Sequence, residues 1–220
     1  MPRLLFEKTG SGIWISHLDL MRVFQRAFKR AGLPLTHTHG FNPRPSVSIA
    51  LPLSVGTESM CELLDFDLDG ETVESNAEIK DRLNNALVQG VYVHSVYDGG
   101  RKIRDLSLLH CQIELQYDRG VPVDAEAALT ALFSQETLLV EKKTKSGMQQ
   151  QDIIPMIRKL SVAVQDEKSV LINAVICCQN PTLNPAQIVS AIHIYAQEMA
   201  PDFATFKRIE IMDQNENVFR

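Results

Sequence analysis

The chain has 220 residues and only four cysteines, at 61, 111, 177 and 178, none of them in a Cys-x-x-Cys pair. An iron–sulfur cluster needs several thiolates close together and a structural zinc needs ligands at short, set spacings, so these cysteines encode neither. Cys177 and Cys178 are neighbours. On a strand they leave opposite faces, which excludes a shared metal and a mutual bridge. Buried, reduced thiols are the expectation. Long apolar runs are missing as well: no stretch approaches the ~18 residues a membrane span requires. At the start, Arg3, Glu7 and Lys8 interrupt the run Leu4-Leu5-Phe6, so no secretory leader is read there. A soluble, cytoplasmic protein with no membrane partner is expected. There is also no phosphate loop, nucleophile elbow or dinucleotide fingerprint; Gly10 and Gly12 make a lone Gly-x-Gly. With no self-contained catalytic motif, the chain reads more as a binder than as an enzyme.

Cations are scarce overall and unevenly placed. The net charge is −5, yet residues 1–50 hold seven Lys or Arg (Arg3, Lys8, Arg22, Arg26, Lys29, Arg30 and Arg44) against Glu7 and Asp19. Residues 51–100 carry ten carboxylates against Lys80 and Arg82. Such a balance excludes coating by nucleic acid at large and leaves room for one local basic face.

That face has a helix to sit on. Ser16 stands as an N-cap with Asp19 three residues on, and Leu20, Val23, Phe24, Ala27, Phe28 and Ala31 recur at the spacing of a buried stripe. Gly32 and Pro34 stop the helix. Arg22, Arg26, Lys29 and Arg30 fall at i, i+4, i+7 and i+8, so the opposite side is cationic. Before the helix, Leu4–Phe6 and Ile13–Ile15, joined by Thr9-Gly10-Ser11-Gly12, read as a hairpin. After it, strands are expected over Val47–Leu53, Cys61–Leu68 and Val91–Tyr97, with a helix around Ile79–Leu87 capped by Ser75 and Glu78. Strand, helix, strand, strand, helix, strand is the split β-α-β pattern of a ferredoxin-like unit.

Asp98-Gly99-Gly100-Arg101-Lys102 marks a boundary, and the pattern returns. Strands are read at Leu108–Tyr117, Leu138–Lys142, Leu160–Val164, Val170–Cys177 and Phe206–Met212. Helices carry Ala125, Ala128, Leu129 and Leu132, then Ile188, Ala191, Ile192 and Tyr195 behind an Asn184-Pro185 start. Thr144–Ile157, with three consecutive glutamines and Pro155, reads as a mobile loop leading into a short helical turn. The fold expected is α+β: two tandem ferredoxin-like units, residues 1–99 and 100–220.

Candidate chemistry gathers between residues 17 and 44. Pro43 and Pro45 fix φ and hold Asn42 and Arg44 extended, while Gly40 permits a turn a larger residue could not make. Such stiffness suits binding, because the ordering cost is met beforehand. His17, His37 and His39 are the candidate acid–base groups, imidazoles having an ordinary pKa of about 6.5, and His37 and His39 share a face if their segment is extended. No further ligand lies at a zinc spacing, so no metal site is assigned. Asp65, Asp67 and Asp69 alternate as a solvated acidic edge. The run Lys142-Lys143-x-Lys145 is a lesser candidate for phosphate contact.

The string SHLDLMRVFQRAFKRAGLP through GFNPRPSVSIALPLSVGTES resembles the radical SAM-linked protein family, a domain of unknown function encoded beside, or fused to, cobalamin-binding radical SAM proteins. The resemblance is specific over about residues 1–70. Members of that family read Gly-Phe-Asn-Pro-His-Pro; Arg44 takes the place of the histidine here, which keeps an anion contact and removes a titratable imidazole. The resemblance implies a radical SAM partner that carries the iron–sulfur cluster, S-adenosylmethionine and cobalamin, with no cofactor on this chain. The layout is also similar to that of the double ferredoxin-like RAMP endoribonucleases. Three functions therefore stand open. The first is a non-catalytic recognition subunit holding an anionic substrate such as structured RNA on Arg22, Arg26, Lys29, Arg30, His37, His39, Asn42 and Arg44. The second is a protein-docking module, and the third a metal-independent endoribonuclease using His17 or His37.

Overall fold

The computed structural model describes residues 1–70, 74–144 and 147–220. The protein is α+β, and its chain divides into two compact units, Met1–Ile103 with Arg220, and Arg104–Phe219.

The first unit runs β1 (Arg3–Lys8), a short 3-10 helix (Gly10–Trp14), α1 (His17–Arg30), β2 (Val47–Ile49), β3 (Thr57–Phe66), α2 (Asn76–Ala86) and β4 (Val91–Tyr97). Its strands lie side by side as β4-β1-β3-β2, every pairing antiparallel. Leu4 sits opposite Leu64 on one side and Val96 on the other, which places the alternate apolar residues of three strands on one face. α1 covers that face with Leu20, Phe24, Ala27 and Phe28. Phe24 meets Phe6 edge-on at 4.7 Å, and Phe28 tilts against Phe66 at 5.0 Å. Each such ring contributes roughly 1.5–3 kcal/mol by leaving water. The basic face of α1 is held outward by this stripe.

The ends of both helices follow from their sequence. The Ser16 hydroxyl accepts the Asp19 amide at 3.2 Å, satisfying one of the donors a helix start leaves open. At α2 the Ser75 hydroxyl accepts the Glu78 amide and the Glu78 carboxylate accepts the Ser75 amide, a full capping box.

No hairpin joins Leu4–Phe6 to Ile13–Ile15. Gly10–Trp14 is instead a 3-10 helix, because the chain turns in to lie against Gly90. The Thr9 amide donates to the Gly90 carbonyl at 2.9 Å, and a Cβ on Gly12 would come within 2.4 Å of that same oxygen. The glycines serve a close backbone approach, which a local turn pattern does not distinguish from a hairpin. β2 is also shorter than Val47–Leu53, ending at Ile49.

The second unit runs β5 (Leu108–Gln116), α3 (Ala125–Phe133), β6 (Leu139–Thr144), β7 (Gly147–Asp152), β8 (Ile157–Val164), β9 (Ser169–Cys177), α4 (Pro185–Tyr195) and β10 (Phe203–Met212). The main strands order as β10-β5-β9-β8, all antiparallel. β6 and β7 pair as a separate two-stranded sheet. The expectation of a mobile loop over Thr144–Ile157 is corrected by β7, whose Gln149–Gln151 pair with Val140–Lys142, and the short helical turn follows at Ile154–Met156. Residues 145 and 146, within that expected loop, lie outside the described residues. α3 buries Ala125, Leu129 and Leu132, and α4 buries Ile188, Ala191 and Ile192. All four cysteines are free and buried. Among the described residues no helix is long and apolar enough to cross a membrane.

Candidate functional site

Two features of the first unit stand out, consecutive in the chain. One is the outer face of α1. Arg22, Arg26, Lys29 and Arg30 are all exposed there, on the side opposite the buried stripe. Their local partners differ. Arg22 pairs with Asp19 of its own helix at 2.7 Å, both side chains open to solvent, where such a pair adds little. That guanidinium and the Ser16 hydroxyl hold the Asp19 carboxyl below its ordinary range, the hydroxyl contributing most. Arg30 donates to the carbonyl of Ala86 at the end of α2. Arg26 and Lys29 make no side-chain hydrogen bond or ion pair among the described residues. Among the described residues no carboxylate from outside α1 pairs with these four cations.

The other feature is an arm, residues 36–46. The Thr36 amide donates to the Asp67 carbonyl at 2.9 Å and the Ser46 amide to the Thr36 carbonyl at 2.8 Å, which roots both sides of the arm beyond the end of β3. Further out, the Thr38 amide donates to the Arg44 carbonyl at 2.8 Å, and the Arg44 amide donates to the Thr38 hydroxyl at 3.1 Å. His37 and Pro45 face each other in an isolated antiparallel bridge. Gly40 turns the tip with φ +148°, in the region glycine alone enters freely. Phe41 then stands at the tip with its ring wholly in solvent, at 102% relative exposure.

His37 and His39 lie together, as their spacing of two requires in an extended segment. They line an open cavity of about 520 Å³ with Thr36, Thr38, Ser46, Asp67 and Asp69. Asn42 and Arg44 are exposed on the arm and do not line it; neither side chain has a partner among the described residues. His17 opens α1, half-buried, and is not part of the cavity. The alternating aspartates are not one solvated edge. Asp65 takes two hydrogen bonds from buried Arg3, at 2.6 and 3.0 Å, while Asp67 and Asp69 lie past the end of β3 against the histidines. Asp67 accepts the Thr36 hydroxyl at 3.1 Å. Among the described residues no group of three or more His, Cys, Asp or Glu could hold a metal ion. In the second unit Lys142 donates to the Thr182 carbonyl at 2.9 Å, and Lys145 of the same run lies outside the described residues.

The family model described as "Uncharacterized protein conserved in bacteria (DUF2344)" matches residues 2–185, a span that takes in α1, the arm and every site residue named above. The chain belongs to the DUF2344 family. No curated protein matches it. Among solved structures it is similar to a chain of the crystal structure of a Cbf5-Nop10-Gar1 complex, with 9% identity and a TM-score of 0.49 over 96% of this chain. It spans about half, 48%, of that chain. It is also similar to an unknown protein from Galdieria sulphuraria, with 11% identity and a TM-score of 0.26 over 94% of this chain and 96% of the other.

Within this DUF2344 chain, three site residues escape a reading of the sequence. Asp67 and Asp69 look like strand residues until β3 ends at Phe66. Phe41 looks like one more apolar residue, and only its neighbours signal otherwise: glycine, asparagine and prolines on both sides leave a ring at that position no helix or strand through which to reach the core.

Proposed function

We propose that this chain is a non-catalytic recognition subunit that holds an anionic substrate, structured RNA, for a partner radical SAM enzyme. The observation that carries this reading is the face of α1. In a chain of net charge −5 it presents four cations on one exposed side, and the Arg26 and Lys29 side chains there have no hydrogen-bond or ion-pair partner among the described residues. Guanidinium groups suit phosphate because their planar fork donates two parallel hydrogen bonds. Arg44 and Asn42, exposed on the arm, add further donors. Both units read as ferredoxin-like; the strand orders β4-β1-β3-β2 and β10-β5-β9-β8 support that assignment. The resemblance of residues 1–70 supports a radical SAM partner with its iron–sulfur cluster, S-adenosylmethionine and cobalamin, and a cytoplasmic location is part of the same proposal.

A salt titration of RNA binding tests it. Log K falls by about 0.7–0.9 per neutralised phosphate per log unit of salt. Arg26→Gln with Lys29→Gln is expected to lower that slope by about 1.4–1.8. RNA binding that ignores salt, or no binding, overturns the reading.

A second reading, docking of an acidic protein surface, has its own support. Trp14 and Leu18 are exposed at 68% and 67%, and Leu18 precedes Arg22 by one helical turn. Trp and Arg are the residues that most often anchor protein interfaces. Under this reading Arg22→Glu with Arg26→Glu abolishes co-purification with the radical SAM protein, and the parent chain binds no RNA.

A further inference from the structure

We propose that Phe41 is a stacking platform for an unpaired nucleobase of the bound RNA. This rests on the RNA reading and deepens it: the α1 cations would hold the backbone, and the arm would select nucleotides whose bases are free of pairing.

Full exposure of the Phe41 ring carries a cost. A phenyl ring gains by leaving water, yet Phe41 leaves none of its ring sheltered. The arm does not wave this ring about. The two hydrogen bonds between Thr38 and Arg44, one between backbone groups and one from the Arg44 amide to the Thr38 hydroxyl, the bridge between His37 and Pro45, and the prolines at 43 and 45 hold its stem. A stiff stem presenting a bare ring is a preformed contact surface.

The chemistry around the ring identifies what it fits. Along the arm its companions are His39, Asn42 and Arg44, all exposed and none with a side-chain partner among the described residues. An apolar protein surface would meet polar groups it could not satisfy. A nucleobase offers a flat π-face for the ring and donor and acceptor edges for the imidazole and amide, and its phosphate offers an anion for the guanidinium. A base inside a duplex hides its face in the stack, so the arm fits single-stranded loops, bulges or ends.

The experiment uses the full chain and two RNA probes of equal charge, a hairpin with an open loop and a blunt duplex. Phe41→Ala is expected to weaken hairpin binding by about 5-fold to 150-fold. Duplex affinity and the salt slope should stay as in the parent, and Phe41→Tyr should keep the hairpin affinity. The protein's one tryptophan, Trp14, allows a direct readout. In a Trp14→Phe, Phe41→Trp chain, indole emission is expected to be quenched by the hairpin and not by the duplex. Hairpin binding unchanged in Phe41→Ala overturns the stacking role alone, provided Arg26→Gln with Lys29→Gln still weakens both probes. A parent chain that binds neither probe overturns the RNA reading and this inference with it.

Discussion

Arg82 of α2 closes the C-terminal end of α1: its Nε donates to the Ala31 carbonyl at 2.9 Å, its Nη2 reaches the same oxygen and that of Gly32, and its Nη1 pairs with Glu74 at 2.7 Å. The last carbonyls of a helix lack intrahelical partners and carry the negative end of its dipole, so a guanidinium there satisfies both needs. It also fixes where the basic helix ends relative to α2. Arg82→Ala is expected to destabilise the first unit by about 1–3 kcal/mol, the usual cost of losing hydrogen bonds from a charged donor. Arg82→Lys should recover only part, having no planar fork. Denaturant midpoints of the two variants check this; equal stability of Arg82→Ala and the parent would show the cap to be without weight.

Close backbone approach makes the next expectation. Gly12→Ala would set a methyl 2.4 Å from the Gly90 oxygen, and a Cβ on Gly90, at φ +86°, would come within 2.5 Å of the Thr9 oxygen. Neither obstacle is a flexible side chain, so the backbone itself must shift. Each substitution is expected to cost about 1–3 kcal/mol, read as a fall in the thermal midpoint. Gly99→Ala is the control for the strain of a positive φ alone: at φ +75° it meets nothing within 4 Å.

These two contacts also mark where the sequence was legible and where it was not. α1 could be read almost to the residue, because its cap, its stripe and its stop are all local: Ser16, the run from Leu20 to Ala31, then Gly32 and Pro34. The capping box at Ser75 and the Asn184-Pro185 start of α4 were readable for the same reason. Arg82 was not, since the carbonyls it caps lie 51 and 50 residues away and nothing local sets it apart from a solvated arginine. Gly12 was misread because its reason for being glycine is Gly90. The polar, glutamine-rich stretch at 149–151 pairs with β6 although its composition speaks for a loop, tertiary pairing overriding propensity. In the site, the spacing of His37 and His39 spoke for a shared face and not for a cavity, and the aspartates that line it with them required knowing where β3 ends.

Alkaline pH is expected to destabilise the second unit. Burial pushes the Cys111 and Cys178 thiols up to about 12, and burial with the nearby Asp202 charge pushes the Tyr117 hydroxyl up to about 12. A group whose folded pKa is raised binds its proton more tightly in the folded state, so its contribution is complete below the ordinary value and lost as pH climbs toward the raised one. For the thiols that window opens near pH 9 and closes near 12. Thermal midpoints should fall across it, and Cys111→Ala should flatten the fall. Thiol-reactive reagents at pH 8 should label none of the four cysteines quickly in the native chain and all of them in guanidinium.

The stiffness of the arm has a measurable consequence separate from the ring it carries. Pro43 and Pro45 restrict the unbound arm, so replacing both with alanine adds conformations that binding must remove, at about 0.4–1 kcal/mol for each proline. Neither substitution touches a cation, and the bonds between Thr38 and Arg44 use backbone and hydroxyl atoms that remain. Pro43→Ala with Pro45→Ala should therefore weaken hairpin RNA binding by about 4-fold to 30-fold. The salt slope should be unchanged, and the loss should appear as a less favourable binding entropy in calorimetry. An unchanged affinity would mean that the tip orders itself without the prolines, and the preformed surface would then have to be credited to Gly40 and the hydrogen bonds of the stem.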